Sequence, residues 1–118
     1  MPRSDSLGQF EQLVLTAVVT LGENAYGVTI HKSVQDLASP KAVTLGAIYV
    51  TLDRLEDKGY VSSKLSEPTA ARGGRAKRCY QLEASGECAL KESIATARRM
   101  ANSVRSIWRD FDKELEEA

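Results

Sequence analysis

Long apolar runs are missing from this 118-residue chain. No stretch approaches the ~18 consecutive apolar residues that a membrane-spanning helix needs. The opening, MPRSDSLGQF, lacks the apolar core of a secretory signal. A cytoplasmic protein is expected. Cysteine and histidine are scarce: Cys79 and Cys88 stand nine positions apart with no second pair, and His31 is the single histidine. Such a set makes neither a zinc site nor a disulfide framework, so no metal or cofactor is expected and both thiols read as reduced packing groups. A nucleophile–base arrangement, a phosphate-cradling motif and paired carboxylates are all absent, which argues against an enzyme. An excess of positive charge is lacking too, since 16 Lys and Arg balance 16 Asp and Glu. Any binding driven by charge must therefore be local.

What is present suits one soluble domain with a modest core, at 42% hydrophobic and 27% charged residues. The charges are segregated. Lys64, Arg72, Arg75, Lys77 and Arg78 crowd one segment against Glu67 alone, whereas Asp110, Asp112, Glu114, Glu116 and Glu117 face only Lys113 at the end of the chain. One region suits phosphate and the other repels it.

Apolar spacings of three and four at Leu7, Phe10, Val14, Ala17, Val18 and Leu21 predict a first helix, stopped by Gly22. Asn24 is expected to cap a second helix, from about Ala25 to Ala38, turned inward at Tyr26, Ile30, Val34 and Leu37 and broken by Ser39-Pro40. Thr44 is the N-cap expected for a third. Its inward stripe is Leu45, Ile48, Leu52 and Leu55, and Gly59 marks its end. The opposite face presents Gly46, Ala47, Tyr49, Val50, Asp53 and Arg54, small at its start, which lets a backbone approach another surface closely.

Tyr60 to Leu65 and Arg78 to Leu82 alternate like half-buried strands, with Val61 and Leu65, and Tyr80 and Leu82, as the inward pairs. The connection between them, from Ser66 to Lys77, contains Pro68 and Gly73-Gly74 and is too long for a tight hairpin turn. A last helix, from about Ala84 to Glu116, carries Leu90, Ile94, Ala97, Ala101, Val104, Trp108, Phe111 and Leu115 in a four–three alternation, the seam of a coiled coil. At ~1.5 Å per residue it is about 50 Å long. The small domain before it cannot cover that length, so a homodimer is expected.

The order of three helices, a basic hairpin and a long helix is mainly α with a small β-hairpin, a winged helix-turn-helix. Residues 1–82 form its DNA-binding part, with the wing at about 60–82, and 83–118 the dimerisation helix. Particular residues sharpen this. Tyr26-Gly27, the run Leu45-Gly46-Ala47-Ile48-Tyr49, Leu52-Asp53-Arg54-Leu55-Glu56, Lys58-Gly59-Tyr60-Val61 and the wing return from Gly73 to Leu82 resemble the PadR family of bacterial transcriptional regulators. The resemblance covers the chain from about Leu7 to the middle of the last helix. The single C-terminal helix is similar to that of the family's smaller members. It implies a dimeric regulator, usually a repressor, whose last helix packs with the first to build the dimer. One departure is Glu83, where the family often has a capping Thr.

For double-stranded DNA, Thr44, Gly46, Ala47, Tyr49, Val50 and Arg54 are the candidate contacts on the third helix, and Arg72, Gly73, Gly74, Arg75 and Lys77 those on the wing. The bland alternatives are a solvated helix on which Tyr49 only packs against its neighbour, and a solvated basic loop. Arg78, already in the strand, is as well suited to a structural role. Phe10, Leu90, Ile94, Ala97, Ala101, Val104, Trp108 and Phe111 are the candidate dimer contacts. Trp108, paired with its symmetry mate, is also the candidate for holding a small planar or apolar effector, although an aromatic at helical spacing is more often core. A winged-helix module that binds protein through its hairpin is the competing reading; it calls for an acidic or apolar tip.

Overall fold

A computed structural model describes residues 7–66 and 76–117, with side chains as far as residue 110. Four helices and one hairpin follow in order: α1 (Gln9–Leu21), α2 (Gly27–Ala38), α3 (Leu45–Asp57), β1 (Val61–Leu65), β2 (Arg78–Leu82) and α4 (Ala84–Glu117). This is a winged helix with a long C-terminal helix.

Each boundary has a local cause. Leu7 lies before α1, not in it; Gly8 is the N-cap, and Glu11 reaches back to accept the Gly8 N–H at 3.1 Å. Gly22 ends α1 at φ 57°, a left-handed conformation open to glycine at little cost. A single 3₁₀ turn, Gly22–Asn24, then displaces the expected cap of α2. Tyr26, not Asn24, is the N-cap, and Thr29 serves it by accepting the Tyr26 N–H at 2.9 Å.

Thr44 caps α3 as its sequence position predicts, its hydroxyl accepting the Ala47 N–H at 3.1 Å. At the other end Gly59 has φ 80°. The Gly59 N–H bonds to the Glu56 carbonyl and the Tyr60 N–H to the Leu55 carbonyl, both at 2.9 Å. This paired closure satisfies the carbonyls that a helix end leaves over and feeds the chain directly into β1.

The core is the meeting of three helical stripes with one side of the hairpin. Val14, Leu15, Ile30, Val34, Ile48, Leu52 and Leu55 have no exposed surface, and Val61, Tyr80 and Leu90 close the remaining side. Fully burying one such aliphatic side chain is worth about 1.5–3 kcal/mol, so the α3 stripe outweighs any surface pair in holding that helix. Leu37, Leu45 and Leu65, expected to point inward, are instead exposed at 53%, 38% and 62%. Each lies on the terminal turn or strand end of its element, where the apolar pattern runs past the neighbours available to cover it. Cys79 is half-buried, whereas Cys88 is exposed. A step of two residues turns about 200° round a helix, which sets Cys88 opposite the buried Leu90.

The strands pair antiparallel, Val61 with Leu82 and Leu65 with Arg78. A bridge between Tyr26 and Cys79 adds one residue of a third strand, so the hairpin is stitched to the entry of α2. α4 is docked at its start: Glu83 N–H bonds to the Tyr60 carbonyl at 2.9 Å, Ser85 Oγ donates to the Gly59 carbonyl at 2.7 Å, and Ser62 Oγ donates to Glu83 at 2.9 Å. Glu83 thus anchors β1 to the head of α4. Gly86 allows this approach, since a Cβ there would overlap the Tyr60 carbonyl oxygen.

Glu11 and Lys58 link the start of α1 to the end of α3 through a 2.9 Å ion pair. Burial raises the Glu11 pKa, but the Lys58 hydrogen bond, the Gly8 N–H and the charges of Lys58 and Arg54 more than offset it and hold the carboxyl below its ordinary value. A lowered folded value means stabilisation that is present above the ordinary carboxylate range and lost as pH falls through the folded value. Replacing Glu11 with Gln is expected to cost about 1–3 kcal/mol at neutral pH. It should also flatten the loss of stability between roughly pH 5 and pH 3. Urea unfolding across that range checks both; a variant with the parent's pH profile would show that the pair contributes nothing.

Candidate nucleic-acid interface

Thr44, Gly46, Ala47, Tyr49, Val50, Asp53 and Arg54 are all exposed along one side of α3, opposite the buried stripe. A methyl group placed on Gly46 would meet nothing within 4 Å, so the fold itself does not require glycine there.

Tyr49 is in closer company. Its ring and hydroxyl lie against Gly27 at the first turn of α2, so tightly that a Cβ on Gly27 would overlap the ring. Yet 41% of the residue remains exposed. It therefore packs on the second helix and still forms part of the surface. Beside it, Val28 is exposed at 63%, and the Lys77 ammonium stands 5.1 Å from the centre of the Tyr26 ring, within cation–π range. The open side of α3, the start of α2 and the root of the wing accordingly share one surface. The sequence marks neither Tyr26, expected inward but half-buried, nor Val28 as a surface group; the Tyr26-Gly27 pair that carries the family resemblance is the available signal, and Gly27 itself is buried.

The hairpin is fixed to α3 from its other side. Arg78 Nη1 donates to Ser63 Oγ at 2.9 Å, and Ser63 Oγ donates to Glu56 at 2.7 Å. Arg78 is thus bonded within the hairpin while remaining exposed. The strands close with Ser66 N–H on the Lys77 carbonyl at 2.7 Å and Lys77 N–H on Ser66 Oγ at 3.1 Å. Beneath them Tyr80 is buried; that burial and the nearby Asp53 charge raise its hydroxyl above the ordinary tyrosine value, so it stays protonated. Arg72, Gly73, Gly74 and Arg75 lie outside the described residues.

The candidate dimer residues fall into two groups. Leu90 is buried in its own chain's core, and Phe10 packs partly against it. Ile94 is 44% exposed and Trp108 60%, with Ala97 and Ala101 also exposed and Val104 half-buried. Met100 and Ile107, exposed at 61% and 64%, widen this stripe beyond the narrow seam that the alternation marks. The side chain of Phe111 lies outside the described residues.

A groove of about 760 Å³ runs between the end of α1 and the hairpin, lined by Val18, Val19, Glu23, Cys79, Leu82 and Glu87 among others. Trp108 is not part of it. Among the described residues no cluster of His, Cys, Asp or Glu could hold a metal, and no helix is long and apolar enough to cross a membrane.

This architecture has solved counterparts. A PadR family transcription regulator from hypervirulent Clostridium difficile is 24% identical, covers 86% of this chain and 99% of its own, and superposes with a TM-score of 0.68. A PadR family transcriptional regulator from Eggerthella lenta is 23% identical over 82% of this chain and 81% of its own, with a TM-score of 0.63. The Aeropyrum pernix ORC1 protein, solved in complex with DNA, matches 78% of this chain with 26% of its own length, at 27% identity and a TM-score of 0.60. No curated protein is significantly similar. The model of the transcriptional regulator PadR-like family matches residues 14–92. With two thirds of its length inside that match, the chain belongs to the PadR-like family of transcriptional regulators, which are DNA-binding proteins and not enzymes.

Proposed function

We propose that the protein is a homodimeric, sequence-specific repressor that binds a palindromic operator. The observation that carries this reading is the single surface formed by the open side of α3, the start of α2 and the root of the basic wing. A helix of this kind fits the major groove, where Ala47 and Val50 suit thymine methyls and Thr44, Tyr49 and Arg54 suit phosphates or base edges. Gly46 permits close approach. On the wing, Arg72 and Arg75 suit a narrow minor groove, Lys77 a phosphate, and Gly73 and Gly74 let the tip fit. The ORC1 match, a protein solved with DNA, supports the same use of the fold.

Dimerisation is assigned to residues 83–118, with 1–82 as the DNA-binding part. The exposed stripe of Ile94, Met100, Ile107 and Trp108, with the half-buried Val104 among them, supports it, because a helix bare of its own domain over that length buries such residues only against another chain. Two copies related by a two-fold axis would present their α3 helices about one DNA turn apart, matching a palindrome. The acidic end of α4 would then lie away from the phosphates. A planar or apolar effector between paired Trp108 rings would alter the tilt of α4 and hence that spacing. The competing protein-binding module is disfavoured by the Arg, Gly and Lys composition of the tip.

Selection of bound duplexes from a random pool at physiological salt should return a palindromic motif; recovery of none would count against the whole reading. On that motif, Ala47→Glu is expected to abolish specific binding by setting a carboxylate in the groove while leaving the dimer intact. Arg75→Ala should weaken binding to every sequence and reduce the salt slope by about one. Parent-like binding by both variants would show that the surface is misassigned. Val104→Asp should give monomers in sedimentation experiments, and a stable dimer would overturn the assignment of α4.

A further inference from the structure

Packing alone does not hold the first turn of α3. Residues 44–47 are all exposed, and the first buried side chain of the helix is Ile48. Those four residues include Thr44 and Ala47, proposed to meet DNA directly, and Gly46, proposed to permit the close approach. Something else must set their position.

The preceding turn, residues 39–44, supplies it through two side chains of α2. Gln35 spans the turn with both ends of its amide: Nε2 donates to the Lys41 carbonyl at 2.6 Å, and Oε1 accepts the Val43 N–H at 2.8 Å. His31 lies one helical turn earlier on the same face, and its Nε2 meets the Val43 carbonyl at 2.6 Å. A carbonyl can only accept, so that ring nitrogen carries the proton. Val43 is therefore gripped at both its backbone groups, one residue before the cap of α3. Among the described residues, the turn's own backbone bonds run from Ser39 N–H to the Gln35 carbonyl, from Lys41 N–H to the Ala38 carbonyl and from Ile48 N–H to the Thr44 carbonyl, and none holds Val43. Neither side chain belongs to the core, which α2 supplies through Ile30 and Val34.

We infer that His31 and Gln35 are positioning residues for sequence-specific recognition, fixing the first turn of α3 without touching DNA. The inference rests on the DNA-binding reading above. Its physical basis is the difference between two kinds of contact. Base-edge hydrogen bonds and methyl contacts made by short side chains tolerate only small displacements, whereas long Lys and Arg side chains follow a phosphate that has moved. Loosening the grip should cost discrimination between sequences and leave charge-driven affinity unchanged.

The test uses the full chain, with Gln35→Leu and His31→Phe as shape-conserving losses and Gln35→Glu keeping the acceptor for Val43. Amide hydrogen exchange at Val43, melting temperature, salt slope and the affinity ratio of the selected motif to a scrambled duplex are measured together. Gln35→Leu is expected to speed Val43 exchange and to lower the affinity ratio, each roughly tenfold, the scale of one or two lost hydrogen bonds. Scrambled-duplex affinity and salt slope should match the parent, and the melting temperature should stay within a few degrees. His31→Phe should lower the affinity ratio in the same way. Gln35→Glu should retain Val43 protection and much of the ratio. An unchanged ratio in Gln35→Leu and His31→Phe, or equal losses on motif and scrambled duplex, overturns the inference alone. A parent that selects no motif overturns the DNA-binding reading and takes this inference with it.

Discussion

The complete burial of Ile48, Leu52 and Leu55 is the constraint from which the rest of this molecule follows. Their spacing of four and three fixes the rotation of α3 about its axis, because any other rotation would expose three large aliphatic side chains at about 1.5–3 kcal/mol each. Once that rotation is set, Gly46, Ala47, Tyr49, Val50, Asp53 and Arg54 have nowhere to point but outward. The open face is thus a consequence of the closed one. No polar interaction in the structure approaches this in magnitude, and the ion pair of Glu11 with Lys58 acts as a tie between helix ends that the core has already brought together.

Rotation alone does not define a surface that can meet a second rigid body. The two ends of α3 must also be set, and polar groups set them. At the start, Thr44 caps the helix while Gln35 and His31 hold the preceding residue. At the finish, Gly59 closes the helix and Glu56 joins Ser63 and Arg78, which orient the hairpin. Tyr49 on Gly27 and Lys77 over Tyr26 then bring the start of α2 and the wing into the same plane. Apolar burial supplies most of the stability, and a small set of hydrogen bonds supplies the geometry. Each of the latter is worth about 0.5–1.5 kcal/mol, so under the proposed reading their loss would show more in recognition than in stability.

α4 obeys a different logic. Its first turns are tied down by Glu83, Ser85, Gly86 and Leu90, which makes it a rigid extension of the second wing strand. Further on, Ile94, Met100, Ile107 and Trp108 are exposed. A proposed second copy would cover them, and the rigid root would pass any change in the tilt of α4 to the spacing of the two α3 helices.

Much of this was legible in the order of residues, and for a local reason. Helix stripes, the Thr44 cap, the Gly59 stop and the alternation within each strand all depend on groups within four or five positions of one another, and the PadR resemblance rests on such runs. What escaped was long-range or terminal. Leu37, Leu45 and Leu65 fit the apolar pattern but stay exposed, since periodicity says which way a side chain points and not how much lies there to cover it. The capping of α2 by Tyr26 depended on a 3₁₀ turn that no apolar spacing marks. The grip of His31 on Val43 joins residues twelve apart, and the contact of Tyr49 with Gly27 joins two helices. The sequence by itself determined which elements form and which faces are apolar; tertiary packing alone decided which of those faces are covered and which polar groups meet, because both depend on distances that the chain sets only once it has folded.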